Sequence, residues 1–324
     1  MIDEKSFDKI VQGKQVGIYT IISNSGLKAQ ITNYGAKIVS LFVPSDNGSL
    51  TDVVLGFNTL DEWLTQEVYF NGINGRVAGR ISNAQAEIDG QIYNFTKNNG
   101  IHTLHGGNQG FNDKVWEVVE TSENAITLHY LSPDGEEGFP GNLHVLVRYV
   151  LEGNDLNIYY DANTDQPTII NLTNHAYFNL KGEGQGSIHD HTLQVLAEEY
   201  IPYDENTLPI GCVKSVEGTP MDMRQSTLIA DRINDPFFAA GLGIDNGWAL
   251  PGWNDPCSTS PLRLAAVLKG GNYTMETWTT FPCMQVYSGN YVENHVGKSG
   301  AEYAHNSIMR PGEKWQHQTV YRFL

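Results

Sequence analysis

The chain has 324 residues, of which 40% are apolar and 18% charged, so it has ample material for a core and lacks the composition of a disordered protein. Its 37 acidic and 20 basic side chains give a net charge of -17, which repels phosphate backbones and anionic lipids. We therefore expect no nucleic-acid partner and no membrane partner. Residues 1–15 mix charges where a signal peptide needs an apolar run, and no later segment approaches membrane-spanning length. These features predict a globular cytoplasmic protein.

The three cysteines are also consistent with a cytoplasmic protein. Cys212, Cys257 and Cys283 are odd in number, widely spaced and not accompanied by a close Cys or His pair. Neither a disulfide framework nor a zinc site is indicated, and a reducing compartment fits this usage.

Strand and turn signals begin near Gly17. Short apolar runs flank the turn residues Asn24-Ser25-Gly26, and Asp89-Gly90 forms a two-residue turn signal between Glu87-Ile88 and Gln91-Ile92. Apolar and polar residues alternate over 143–151 and again over 156–162, which predicts a hairpin.

Helical signals are few. Thr59-Leu60-Asp61-Glu62 has the pattern of a capping box that opens one or two helical turns, and 227–235 is a second candidate helix. We find no linker, repeat or low-complexity tract, and strand signals continue to Phe323. Together with 33 Gly and 13 Pro, this predicts one all-β domain over 1–324, a large antiparallel β-sandwich with few short helices. Polar side chains on one curved face of such a sandwich can hold a sugar.

Rare residues cluster in a few turn-rich segments: Gly75 to Arg80, Leu104 to Gly107, Asn171 to His175, and Ile244 to Asn246. The first of these lacks the spacing and the lysine of a phosphate-binding loop. No His-x-His or His-Glu pair offers two metal ligands on one face. The sequence therefore predicts no metal and no cofactor.

Four motifs carry a specific resemblance: LHGG at 104–107, SPDGEEGFPGNL at 132–143, NLTNHAYFNL at 171–180 and MRPGEKWQHQTVYRF at 309–323. In this order they resemble the galactose mutarotase (aldose 1-epimerase) family, and the resemblance runs from about Gly35 to Leu324. It implies a mutarotase-like supersandwich that binds a free aldohexose and interconverts its α and β anomers without metal or nucleotide.

The resemblance also implies roles for five residues. His175 matches the general acid, for which imidazole suits because its ordinary pKa lies near physiological pH. His105 matches a second histidine that hydrogen-bonds on the ring-oxygen side of the sugar. Arg80 matches a sugar-binding arginine, Asp245 an aspartate that bonds sugar hydroxyls, and Gln285 a further polar contact. The two histidines, Arg80 and Asp245 are expected in one cleft.

Plainer interpretations exist for several of these residues. Without the resemblance, Arg76 and Arg80 would be taken as a solvated pair and Asp245 as a turn carboxylate; we treat Arg76 as structural. The chain has Asn246 where a histidine commonly follows the aspartate, and Gly79 where some relatives have asparagine.

Aromatic side chains offer a different kind of sugar contact. Trp248, Tyr177 and Phe70 could stack on the apolar face of a hexose, although aromatics at strand positions are more often part of the core.

One part of the family pattern is absent. The family carries its general base, a glutamate, between the Ser-Gly-Asn stretch and the Arg-Pro-Gly-Glu stretch, but here 296–304 passes directly into 305–313. Glu293 and Glu302 belong to the flank before the gap, so the role is transferred to neither. Either another carboxylate supplies the base, or the sequence lacks residues between Tyr303 and Ser307.

Two functions therefore stay open: an active epimerase, or a sugar-binding homologue that kept the cleft and lost the base. A carboxylate facing His175 would distinguish them. An epimerase of phosphorylated hexoses would need a basic cluster for the phosphate, and the sequence shows none. The chain is expected to be a monomer or a homodimer.

Overall fold

The computed structural model describes residues 1–65, 69–254, 261–290 and 308–324. Strands dominate it, and their bounds in chain order begin with β1 (Lys9–Val11), β2 (Lys14–Val16), β3 (Ile18–Ile22), β4 (Lys28–Thr32), β5 (Lys37–Pro44), β6 (Leu50–Asp52), β7 (Ile73–Asn74), β8 (Arg80–Ile81) and β9 (Gln85–Ile88). The middle of the chain forms β10 (Gln91–Asn94), β11 (Thr103–Leu104), β12 (Glu117–Thr121), β13 (Ala125–Ser132), β14 (Leu143–Glu152), β15 (Asp155–Thr164), β16 (Thr168–Ile169), β17 (Thr173–Asn174) and β18 (Thr192–Val195). The remainder forms β19 (Glu199–Ile201), β20 (Lys214–Ser215), β21 (Thr227–Leu228), β22 (Asp245–Ala249), β23 (Arg263–Gly270), β24 (Tyr273–Thr279), β25 (Cys283–Tyr287), β26 (Ile308–Met309) and β27 (Trp315–Phe323).

Helices are short. The α-helices are α1 (Leu60–Thr65) and α2 (Ala230–Ile233), and single 3₁₀ turns lie at Glu4–Phe7, Ser82–Ala84, Phe111–Asp113, Glu136–Gly138 and Pro236–Gly241. The capping box is confirmed, because the Thr59 amide donates to Glu62 at 2.9 Å and the Glu62 amide donates to the Thr59 hydroxyl at 3.4 Å. The helix predicted over 227–235 is too long, since residues 227–228 pair as a strand and only 230–233 are α-helical.

The strands pair antiparallel in one large sheet and several smaller ones. The nine-stranded sheet has the order β12-β13-β14-β15-β27-β24-β23-β18-β21, and the two four-stranded sheets have the orders β3-β4-β5-β6 and β20-β19-β22-β25. Two-stranded pairs join β1 to β2, β9 to β10, β8 to β11, β7 to β17 and β16 to β26. The architecture is the predicted all-β antiparallel sandwich.

The predicted hairpin is the centre of the large sheet. In β14 the residues Leu143, Val145, Val147 and Tyr149 are buried while the alternate positions face solvent, as expected for a sheet with one covered face. The Tyr149 hydroxyl crosses the core and donates to the Ala36 carbonyl at 2.7 Å. One continuous apolar core therefore joins the nine-stranded sheet to the smaller sheets, with members from Ile21 to Phe323.

The last strand is a central member of the large sheet. β27 lies between β15 and β24, with Asp155 opposite Arg322 and Thr279 opposite Thr319. The Arg322 guanidinium binds the Asp155 carboxylate at 2.8 Å. The C-terminal segment is thus a central strand rather than an edge.

No helix of the described residues is long and apolar enough to cross a membrane. Cys212 is exposed and Cys283 is buried, and both are unbridged; Cys257 lies outside the described residues.

Candidate active site

His175 directly follows β17, whose pairing with β7 brings Asn174 opposite Ile73. Both backbone groups of His175 are bonded: its amide donates to Gly72 at 2.9 Å, and its carbonyl accepts from Asn71 at 2.9 Å. The side chain is 6% exposed, and its Nδ1 is buried without a hydrogen-bond partner. Burial lowers the pKa of His175 to about 4, so the imidazole is neutral at neutral pH.

His105 directly follows β11, which pairs Leu104 with Arg80 of β8. The His105 amide donates to the Gly79 carbonyl at 3.0 Å, and the Gly79 amide donates to His105 Nδ1 at 3.1 Å. Burial, His175 and Arg80 together hold the pKa of His105 well below its usual range. Because Nδ1 accepts a hydrogen bond in this neutral ring, the proton resides on Nε2, which is a donor.

The two imidazoles face each other. Their ring centroids are 5.3 Å apart and the planes are nearly perpendicular. Tyr69 lies 4.5 Å from the His105 ring, Tyr177 stacks on His175 at 4.9 Å, and the Tyr287 ring lies 6.2 Å from His175. These aromatic neighbours exclude water, which is why both histidine pKa values fall.

Asp245 and Gln285 come from the neighbouring strands β22 and β25. The side-chain amide of Gln285 donates through Nε2 to Asp245 Oδ1 at 2.8 Å, and the Tyr203 hydroxyl donates to Gln285 Oε1 at 2.7 Å. Gly247 stands opposite Gln285, and a Cβ at Gly247 would lie 2.9 Å from the Tyr203 hydroxyl. Glycine at 247 thus leaves room for this chain of hydrogen bonds.

Arg80 connects the two groups electrostatically. Its guanidinium lowers the pKa of His105, and it also opposes the rise in the pKa of Asp245 that burial causes. Its Nε donates to Asn99 Oδ1 at 3.3 Å, which orients the side chain. Asp245 in turn contributes to the raised pKa of Tyr177, the residue stacked on His175. Asp245 also stands opposite Tyr287, whose ring lies 6.2 Å from that of His175, so the structure brings the five sequence-predicted residues together.

A cavity of about 660 Å³ opens beside this group. It shares only Arg80 with the five residues, and it is otherwise lined by Val77, Ala78, Ile81, Ser82, Ile169, Asn171, Asp204, Leu208, Pro209, Ile210 and Gly211. In the part of the chain that the structure describes, no group of three His, Cys, Asp or Glu side chains is arranged to hold a metal ion.

The structure also bears on the sequence interpretations of Arg76 and of the aromatic residues. Arg76 is not a solvated charge: it is 1% exposed and donates to Pro140, Gly141, Thr168 and Ser132, because the guanidinium must satisfy its donors inside the protein. Trp248 and Phe70 are buried core residues, and Phe70 packs on Tyr177 with ring centroids 4.5 Å apart.

The residues that sequence reasoning missed are Tyr69, Tyr203, Tyr287 and Asn99. The sequence pattern could have identified Tyr287, since it lies two positions after Gln285 and side chains at i and i+2 of a strand share a face. The gap between Ala304 and His305, with Glu293 and Glu302, lies outside the described residues.

Comparison with known proteins assigns the chain to a family. The model of the family described as aldose 1-epimerase matches residues 17–322. The chain is 35% identical to galactose mutarotase of Bos taurus, covering 93% of this chain and 92% of the relative, and 31% identical to aldose 1-epimerase of Escherichia coli (strain K12), covering 96% of each. The crystal structure of galactose 1-epimerase from Lactobacillus acidophilus NCFM superposes with a TM-score of 0.84 at 26% identity, covering 98% of this chain and 96% of that one. This chain belongs to the aldose 1-epimerase family.

Proposed function

We propose that the chain is an aldose 1-epimerase that interconverts the α and β anomers of a free aldohexose, galactose or glucose. The observation that carries the proposal is the pairing of two neutral imidazoles 5.3 Å apart, His175 buried and His105 partly buried, with a hydrogen-bonded carboxylate and amide beside them. Family membership supports the same activity.

Anomer exchange needs two proton transfers. A base removes the proton of the anomeric hydroxyl while an acid protonates the ring oxygen, so that the C1–O5 bond breaks and C1 becomes an aldehyde carbon. Rotation about C1–C2 and the reverse transfers close the ring on the other face, and both protons return to where they began. Two groups of opposite role are therefore required.

His175 is assigned as the acid and His105 as its neighbour. With Nδ1 occupied by the Gly79 amide, His105 presents Nε2–H as a donor to the ring-oxygen side of the sugar. Because burial lowers the pKa of His175 to about 4, its protonated form is a strong acid that is scarce at neutral pH. A carboxylate base in the occupied site would raise that pKa and increase the protonated fraction.

Asp245, Gln285 and Arg80 are assigned to the sugar hydroxyls. Gln285 and Tyr203 hold the carboxylate side of the site in a single hydrogen-bonded arrangement. Carboxylate and amide oxygens accept from hydroxyls, and the guanidinium donates to hydroxyl oxygens. The reaction as written needs neither metal nor nucleotide.

The alternative is a sugar-binding protein without the base, which the direct passage from Ala304 to His305 favours. Calorimetric titration with galactose after treatment with a chelator, combined with polarimetry of freshly dissolved α-galactose, separates the two. Heat together with accelerated mutarotation supports the epimerase. Heat at an uncatalysed rate supports the alternative, whereas no heat at millimolar sugar, or a metal requirement, would overturn both.

Cell location and organisation remain predictions. We propose a cytoplasmic chain that folds as one domain, because a single apolar core includes residues from the first to the last part of the described sequence. Monomer and homodimer both remain open.

A further inference from the structure

The segment Ser132 to Asn142, which contains the motif SPDGEEGFPGN, has no part in the chemistry described so far. It packs against the turn that carries His105. Glu137, in the middle of this segment, accepts a hydrogen bond from the Asn108 amide at 3.0 Å and another from the Gln109 amide at 3.3 Å. One carboxylate thus binds two successive backbone amides, three and four residues after His105.

The turn after His105 needs such support because its backbone conformation is unusual. His105 has φ 50°, in the left-handed region, and the next two residues, Gly106 and Gly107, have φ 90° and 103°. Glycine adopts this region freely, but a histidine is held there by the surrounding structure rather than by its own preference. A Cβ at Gly107 would lie 2.2 Å from Glu137 Oε2, so the carboxylate packs directly on the turn.

The backbone of Glu137 is itself held by hydrogen bonding. Its carbonyl accepts from the Thr96 amide at 3.0 Å. The two ends of the segment are fixed by the buried Arg76, which donates to the Pro140 carbonyl at 2.7 Å and to the Ser132 hydroxyl at 2.7 Å. The preceding residue, Glu136, forms a salt bridge with Lys114 at 2.9 Å, and both side chains are nearly buried. The carboxylate of Glu137 therefore projects from a rigid support.

We propose that Glu137 is a positioning residue, which holds the turn 107–109 and so aims the imidazole of His105 at the sugar. This inference rests on the proposed function. The acceptor is a carboxylate, and a hydrogen bond to a charged acceptor is stronger than one to a neutral acceptor, which suits a rigid brace. Glu137 acts through His105 and has no assigned contact with substrate.

The test compares Glu137→Gln and Glu137→Ala with two controls. Glu120→Ala removes an exposed carboxylate on β12, and Ile158→Val loosens the core of the large sheet away from the His105 turn. We expect Glu137→Ala to lower kcat/KM for galactose about 10-fold, since a displaced catalytic group costs turnover. Glu137→Gln keeps one acceptor oxygen and should lie between wild type and Glu137→Ala. Both controls should keep the wild-type value.

Two spectroscopic measurements separate positioning from general stability, and neither depends on turnover. In wild type, hydrogen exchange at the Asn108 and Gln109 amides should be slow, and in Glu137→Gln it should be faster at one or both. The His105 ring, which faces His175, Arg80 and Tyr69, should titrate nearer to an ordinary histidine in Glu137→Ala, because water reaches a loosened ring.

Fast exchange at both amides in wild type would overturn the proposal even if the variants fail to fold. Unchanged kcat/KM and unchanged His105 titration in a folded Glu137→Ala, with a melting temperature lowered as in Ile158→Val, would assign Glu137 a purely structural role. Absence of activity in wild type with the expected exchange and titration results would count against the proposed function and leave the positioning role supported.

Discussion

His105 and His175 lie on irregular segments that each follow a two-residue strand, whereas Asp245 and Gln285 lie within regular antiparallel strands. We call the first group, with Arg80, the loop wall, and the second group the strand wall. The loop wall combines a left-handed His105 with a buried His175 imidazole and a partly buried His105 imidazole. Its geometry depends on support from distant residues such as Arg76 and Glu137.

The strand wall needs less support. Asp245 stands opposite Tyr287 and Gln285 opposite Gly247 in an ordinary ladder, so the sheet itself sets their spacing. The groups assigned to proton transfer are thus on specially braced backbone, while the groups assigned to hydroxyl binding are on repetitive backbone. Substitutions in the loop wall should therefore change turnover and stability more than those in the strand wall.

The largest effect is expected at His175. His175→Asn should lower kcat in polarimetry about 10²–10⁴-fold, the range for loss of a positioned acid. His317→Asn is a matched control, since the pKa of the partly buried His317 is also lowered to about 4 by desolvation, but its ring stacks on Phe281 outside the site. A folded His317→Asn should keep its turnover, and an unchanged rate in His175→Asn would place the acid elsewhere.

The second-largest effect is expected on stability, when the buried guanidinium of Arg76 is removed. Arg76→Met leaves the carbonyls of Pro140, Gly141 and Ser132 without their donor, and the free energy of unfolding should fall by about 3–5 kcal/mol. Urea denaturation measures this. Arg148→Met, at an exposed position of β14, should change stability by less than about 0.5 kcal/mol. Equal losses in the two variants would show that Arg76 does not brace the loop wall.

The pH dependence of stability should show the burial of the loop wall. The folded pKa of His175 is about 4, and an unfolded histidine has a pKa of about 6.5. Above about pH 6.5 both states hold a neutral ring. As pH falls from about 6.5 to about 4 the unfolded state binds a proton that the folded state does not, so about 3 kcal/mol of stability is lost.

His175→Asn removes this loss, so the difference in stability between it and wild type should change by about 3 kcal/mol over that range. His317 acts in the same direction in both proteins, and the raised pKa of Asp245 acts in the opposite direction in both, so neither affects the difference. Denaturant titrations at several pH values measure it. A difference that is constant with pH would contradict the burial of His175.

The smallest effect is expected in the strand wall. Tyr203→Phe removes the hydroxyl that donates to Gln285, at a cost of about 0.5–1.5 kcal/mol, so KM for galactose should rise roughly 2- to 12-fold with little change in kcat. Tyr159→Phe, on β15, removes a partly exposed hydroxyl and is the control. A large fall in kcat for Tyr203→Phe would show that the strand wall takes part in proton transfer.

Local patterns predicted much of this molecule. The capping box at Thr59, the turn at Asp89-Gly90 and the hairpin of β14 and β15 follow from interactions between residues close in sequence, and all are confirmed. The helix predicted over 227–235 was too long because residues 227–228 instead pair with β18, a partner more than 30 positions away. Local propensity cannot anticipate a distant strand that competes for the same backbone groups.

By itself the sequence determined the fold class, since alternation is a local signal, and its motifs of consecutive residues named five candidate site residues whose roles stay predictions. Only the tertiary structure decided that β27 lies between β15 and β24, that Arg76 is buried in the support of the loop wall, and that Tyr203 orders Gln285 and Asp245. Each of these depends on contacts between residues 40 or more positions apart in the sequence. Their pairing is selected by the total burial and hydrogen bonding of the whole chain, which no short window of sequence contains.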